Sequence, residues 1–218
     1  MELEAVLFDL DGTLVDTAPD FYVTVEKLLA LHNKAPIEHE VIRAEVSNGS
    51  RALTKLCFPE ITDQDEFEQL RMQLLNIYAD EVGANAVLFP ENREILETLK
   101  SKNIPWGIVT NKPRLYTELL IKRTSFLKNC SVLICADDVP VAKPDPTGIL
   151  EACAKLQVSS NKVLYVGDHV RDVQAAHNAG CVSAIVPFGY FDEGTNLNDL
   201  GAQHLLRNAK DLIHFLDN

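Results

Sequence analysis

Positive charge is the first thing this chain is short of. It carries 20 Lys and Arg against 32 Asp and Glu, a formal net charge of −12. A surface that negative repels nucleic acid phosphates and anionic lipid, so neither is expected as a partner. Long hydrophobic runs are missing too: no stretch reaches the roughly 18 consecutive apolar residues that suggest a membrane span. The opening, MELEAVLFDLDG, has no basic segment ahead of its apolar run and does not read as a signal peptide. Cysteines are few, odd in number and never in a CxxC pair: Cys57, Cys130, Cys135, Cys153 and Cys181. That excludes an obvious disulfide framework or thiolate zinc site, and implies reduced, mostly buried thiols in a cytoplasmic protein. No GxGxxG follows the first strand, which disfavours a nicotinamide-binding protein. Internal repeats and low-complexity segments are absent as well.

What remains is ordinary for a soluble enzyme: 46% hydrophobic and 24% charged residues over 218 positions. That length suits one domain of usual size plus a smaller one. Apolar runs predict strands at 5–8, 106–109, 132–135, 162–166 and 182–186, with a short one at 204–206. Several are continuous rather than alternating, as in a parallel sheet buried on both faces. Helical patterns separate the later strands at 92–102, 113–126, 146–156 and 171–179. Pro113 and Pro146 stand at helix starts, and Gly180 stands at a helix end. Strands alternating with helices predict an α/β fold, a doubly wound (Rossmann-like) parallel sheet. Between about Asp16 and Gly83 the alternation stops, and four helical patterns replace it. The expected organisation is a core of 1–15 and 84–218 with a helical cap of 16–83 inserted after the first strand.

Four short motifs fall at or just beyond strand ends, where open α/β sheets bind ligands. The first is Asp9-Leu10-Asp11-Gly12, two carboxylates two residues apart beside a glycine that lets the backbone turn close to a ligand. A plain turn accounts for the same residues. The second is Thr110-Asn111-Lys112, whose hydroxyl and amide can bond phosphate oxygens, although Asn111 suits a helix cap equally well. The third is Lys143-Pro144-Asp145-Pro146, either a lysine held between rigid elements or a surface lysine in a proline-rich loop. The fourth runs from Gly167 and Asp168 through His169 to Asp172. Asp172 also fits a helix first turn. His169 and His177 read as surface or cap histidines, with no second ligand at metal spacing. In a doubly wound sheet these strand ends share one rim. The resulting set of carboxylates, a hydroxyl, an amide and a lysine suits Mg²⁺, which prefers hard oxygen ligands, over zinc.

In this order and spacing, DLDGTLVD, VTNK, AKPDP and GDHVRD resemble the haloacid dehalogenase superfamily, over nearly the whole chain. The helical insert matches that family's small cap. LFDLDGTLVDTAPD, VTNKP and KPDP are similar to bacterial phosphoglycolate phosphatases. WGIVTNKP and LICADDVPVAKPDP look like N-acetylmuramic acid 6-phosphate phosphatases. His169 departs from the serine that many relatives carry.

The resemblance implies a Mg²⁺-dependent phosphoric monoester hydrolase acting on a small phosphorylated metabolite through an aspartyl phosphate. Asp9 is then the nucleophile and Asp11 the acid and base. An ordinary Asp, with a pKa of about 3.9, needs its neighbours to hold that proton at neutral pH. The metal is implied to sit on Asp9, the Asp11 carbonyl and Asp168, with Asp172 ordering a metal-bound water or Lys143. Thr110, Asn111 and Lys143 are the implied phosphoryl ligands. A dehalogenase needs neither Asp11 nor Asp168, and a receiver domain has no helical insert, which leaves a phosphomutase as the main rival. In the cap, Asn48-Gly49 marks a turn, and Arg51 just after it offers a planar donor for a substrate carboxylate. A solvated surface arginine is the alternative there.

Overall fold

The computed structural model describes residues 3–191 and 194–216. The chain divides into two compact units, one of Met1–Asp16 with Leu88–Asn218 and one of Thr17–Val87.

The first unit is built on a sheet that, among the described residues, has six strands. In chain order they are β1 (Ala5–Phe8), β4 (Trp106–Val109), β5 (Val132–Ile134), β6 (Val163–Gly167), β7 (Val182–Ile185) and β8 (His204–Leu205). Their spatial order is β5-β4-β1-β6-β7-β8, and every pairing is parallel. β1 lies at the centre with all four residues, Ala5 to Phe8, fully buried. That is why its sequence is a continuous apolar run rather than an alternating one. Val6 stands opposite Trp106 on one side and Leu164 on the other.

Parallel neighbours need crossover connections, supplied here by helices flanking the sheet. They are α5 (Pro90–Ser101), α6 (Arg114–Arg123), α7 (Thr147–Leu156), α8 (Val170–Ala179) and α9 (Ala209–Leu216). α8 stops at Gly180, which takes the left-handed conformation (φ +74°) that glycine adopts without a Cβ penalty. α7 begins one residue after the expected proline: Pro146 is its cap residue, and the Asp145 carboxylate accepts from the Thr147 N–H at 2.9 Å. Two-residue strands β2 (Val15–Asp16) and β3 (Val87–Leu88) and helix α9 have no counterpart in the sequence reading.

The second unit is helical: α1 (Ala18–Leu31), α2 (His39–Val46), α3 (Gly49–Cys57) and α4 (Gln64–Glu81). Phe21 of α1 stacks on Tyr78 of α4 with ring centroids 4.1 Å apart. The buried Asp20 carboxylate accepts from the N–H groups of Gly83 and Asn85 at 2.6 and 2.7 Å. Among the described residues, no helix is long and apolar enough to cross a membrane.

Candidate active site

β4, β1 and β6 are adjacent and parallel, so their carboxyl ends lie side by side. Asp9, Thr110 and Asp168 each directly follow one of those strands. The fold alone therefore gathers three motifs that are more than fifty residues apart in sequence.

Asp9 is 7% exposed. Its Oδ1 accepts from the Leu10 N–H at 2.7 Å and pairs with Lys143 Nζ at 2.9 Å. Its Oδ2 takes no hydrogen bond among the described residues. Just beyond it, Gly12 turns the chain at φ +78°, and a Cβ there would lie 2.2 Å from Asp168 Oδ2. Only glycine meets both demands. Asn92, buried in the first turn of α5, pins this loop by donating to the Thr13 and Leu14 carbonyls at 2.7 and 3.1 Å.

Lys143 is buried, and all three of its N–H bonds have acceptors: Asp9, Asp172 Oδ1 at 2.6 Å and the Tyr165 hydroxyl at 2.8 Å. Burial works against its charge, yet the Asp172 and Asp9 carboxylates outweigh that and hold the ammonium above the usual lysine value. Its backbone is clamped by Asn111. The Asn111 Nδ2 donates to the Lys143 carbonyl and the Lys143 N–H donates to Asn111 Oδ1, both at 3.0 Å. Asn111 is therefore not a helix cap; Pro113 fills that position for α6. Its amide is engaged with Lys143 rather than turned wholly to a phosphate. The Lys143–Pro144 peptide is cis.

Asp172 lies in the first turn of α8. Its Oδ2 accepts from the His169 N–H at 3.0 Å, and His169 Nδ1 accepts from the Arg171 N–H at 3.2 Å. His169 is thus a cap histidine, and His177 bonds Ser183 Oγ at 2.9 Å. Asp168 accepts from Thr13 Oγ1 at 3.2 Å and from the Tyr190 N–H at 2.9 Å. No cationic side chain among the described residues pairs with it. Burial, with Asp172 and Asp9 close by, pushes its carboxyl well above the usual range.

One oxygen each from Asp9, Asp168 and Asp172 lies within 4.8 Å of the others. Three buried carboxylates, one of them lacking a cation, fit a hard divalent ion. Asp11 is not in that cluster: its Oδ1 pairs with Lys112 Nζ at 2.8 Å. Thr110 Oγ1 accepts from the Lys112 N–H at 3.1 Å, and its hydroxyl hydrogen has no acceptor among the described residues.

Three participants escaped the sequence reading. Tyr165 sits in β6, where VLYV reads as any apolar strand, and its hydroxyl donates to the Val109 carbonyl at 2.9 Å. Burial, with Asp172 and Asp9 next to it, keeps that phenol neutral. Tyr190 follows Gly189, where a Cβ would come within 2.3 Å of Asp168; the Gly-Tyr pair was the only available signal. Lys112 belonged to a recognised motif but carried no role.

In the helical unit, Asn48 precedes α3 and Gly49 has φ +80°. The Arg51 guanidinium is paired with Glu68 and lies 5.3 Å from the centre of the Phe67 ring. Glu68 also accepts from Arg71 Nε at 2.7 Å.

A core of buried carboxylates and a lysine on the rim of a parallel sheet defines a class of hydrolases. Residues 6–186 match the family model described as haloacid dehalogenase-like hydrolase. The chain belongs to that family, and it is a phosphoric monoester hydrolase within it. It is 36% identical over 217 residues to an N-acetylmuramic acid 6-phosphate phosphatase of Pseudomonas aeruginosa, covering 100% of this chain and 96% of that one. It is 37% identical over 185 residues to a phosphoglycolate phosphatase of Xylella fastidiosa, covering 85% and 80%. In fold it resembles the crystal structure of a predicted phosphoglycolate phosphatase from Haemophilus somnus, with a TM-score of 0.86, 23% identity and coverage of 99% and 98%.

Proposed function

We propose that this chain is a magnesium-dependent, cytoplasmic phosphatase that removes the phosphoryl group from a small metabolite bearing a carboxylate, with Asp9 as nucleophile. The observation that carries this is the state of Asp9. One oxygen is fixed by Lys143 and a backbone N–H, and the other is uncommitted beside two further carboxylates.

In the first step an Asp9 oxygen attacks phosphorus and the ester P–O bond breaks. The departing oxygen takes the proton that Asp11 carries, leaving Asp11 as the carboxylate. In the second step water attacks the aspartyl phosphate, Asp11 takes the water's proton, and inorganic phosphate leaves Asp9 free. Lys143 and the Thr110 hydroxyl bear on the transferring oxygens, while Asn111 holds the Lys143 backbone in place. Asp9, Asp168 and the Asp11 carbonyl would hold magnesium, with Asp172 ordering Lys143. The ion would supply positive charge against the phosphoryl group. The five cysteines are free thiols, in keeping with a reducing compartment.

Two carboxylated substrates are in view, 2-phosphoglycolate and N-acetylmuramic acid 6-phosphate. The end-to-end match to the Pseudomonas relative, helical unit included, favours the second. A magnesium-supplemented comparison of kcat/KM on both decides between them. Acid-quenched enzyme given ³²P-labelled substrate should carry label on wild type and none on Asp9→Asn. Turnover by a folded Asp9→Asn protein ends the covalent reading. Label passed to a second sugar hydroxyl rather than to water would make the enzyme a phosphomutase.

A further inference from the structure

The site contains a second buried ammonium. Lys112 is 8% exposed and its Nζ lies 2.8 Å from Asp11 Oδ1, 101 residues away in sequence. Its backbone is held on both sides: the Lys112 N–H donates to Thr110 Oγ1 at 3.1 Å and its carbonyl accepts from the Ala136 N–H at 3.3 Å. Pro113 follows and fixes the next φ near −60°. A lysine this constrained has surrendered most of its rotamer freedom on folding, so its ammonium is a fixed point rather than a sweeping surface charge.

From this geometry we infer that Lys112 is a positioning residue for Asp11, holding the acid/base carboxyl where the leaving oxygen departs and where water later arrives. The inference rests on the role of Asp11 proposed above. The Lys112 contact holds Asp11 Oδ1 and with it the orientation of the carboxyl. The division of labour is then symmetrical. Lys143 fixes Asp9 Oδ1 for bond formation to phosphorus, and Lys112 fixes Asp11 Oδ1 for proton transfer. Asp11, paired with Lys112, lies outside the Asp9, Asp168 and Asp172 cluster.

The test separates proton delivery from phosphoryl stabilisation. kcat/KM reports phosphoryl transfer to Asp9. It depends on a proton donor for an alkyl leaving group such as that of β-glycerophosphate, and far less for p-nitrophenyl phosphate. Lys112→Met should lower kcat/KM about a hundredfold on the alkyl ester, the scale of a lost general acid, and less than tenfold on the aryl ester, with Lys112→Arg recovering part of the difference. In an Asp11→Asn background, Lys112→Met should cost less than about twofold more, since both changes remove one function. Equal losses on both esters, or full additivity in the double variant, overturn the inference. So does a loss confined to carboxylated substrates, which would make Lys112 a substrate contact. Orthovanadate inhibition, unchanged in Lys112→Met, confirms that the phosphoryl pocket is intact; weakened inhibition counts against a role through Asp11. If Asp11→Asn shows no preference for the alkyl ester, the acid role of Asp11 fails first, and that result stands apart from any result on Lys112.

Discussion

Removing the Tyr165 hydroxyl tests whether Lys143 is held by three acceptors or merely rests near them. In Tyr165→Phe the ring keeps its buried place, since Tyr165 is only 1% exposed, and no cavity larger than one oxygen opens. Three contacts go: the bond from Lys143 Nζ at 2.8 Å, the bond to the Val109 carbonyl at 2.9 Å and a longer one to Asp172 Oδ1 at 3.3 Å. A buried N–H of a charged group then has no acceptor. Leaving such a group unsatisfied costs about 2–3 kcal/mol. For a chain of this size each kcal/mol moves Tm by about 2–4 °C, so a fall of about 5–10 °C is expected. Catalysis should fall as well, because an ammonium with two fixed partners instead of three is less well aimed at a phosphoryl oxygen. A loss of about 1.4 kcal/mol of transition-state stabilisation is tenfold in rate. Calorimetry and kcat/KM on an aryl phosphate measure both effects. A variant with wild-type Tm and wild-type kcat/KM would refute the reasoning.

Lys143→Ala should lower kcat/KM by at least about a hundredfold on every substrate, as expected when one preorganised contact to developing charge is lost; a loss on one substrate only would recast it as a specificity residue. Magnesium at a hundredfold excess over its Kd should stabilise the protein by about 2.7 kcal/mol. Calorimetry should show that shift in wild type and not in Asp168→Asn, and activity abolished by chelation should return with Mg²⁺ but poorly with Ca²⁺. Arg51→Ala should lower kcat/KM on a carboxylated substrate relative to p-nitrophenyl phosphate. The exposed Arg51 is paired with the half-buried Glu68, an ion pair in solvent reach that a substrate carboxylate can displace at little cost. An unchanged ratio returns Arg51 to the surface.

The sheet was legible because its strands are buried on both faces, which makes Ala5–Phe8 and Val163–Gly167 almost wholly apolar. The starts of α6 and α7 were legible to within one residue of Pro113 and Pro146, and the end of α8 at Gly180, whereas Pro90 at the start of α5 was missed. β2 and β3 were not legible. Helix α9 was missed, although Asn208 accepting from the Lys210 N–H at 2.9 Å was a cap signal to find. At the site, the residue types at each strand end could be read one motif at a time. Their pairing could not. Apart from Asp172 ordering Lys143, which the resemblance offered as one alternative, nothing local says that Lys143 goes to Asp9 or Lys112 to Asp11, since those partners are brought together by strand order. Tyr165 was hidden for a related reason: a tyrosine in a buried strand looks like core until its hydroxyl is seen to reach the sheet's rim.

The pairing also explains how so acidic a chain can accept a phosphorylated substrate. Asp9 and Asp172 share Lys143, and Asp11 has Lys112. Asp168 has only a hydroxyl and a backbone N–H. Burial and its acidic neighbours hold the Asp168 carboxyl well above the usual range, and a divalent cation beside it would offset that and favour its ionised form. Two unit charges about 4 Å apart interact by about 4 kcal/mol at the dielectric typical of such sites. A phosphate dianion approaching before the metal meets the Asp9 and Asp172 carboxylates with one shared ammonium between them, whereas one approaching afterwards also meets the cation's charge. Binding should be ordered, metal first. The place the proposed magnesium ion takes is set by the one acid to which the fold gives no lysine.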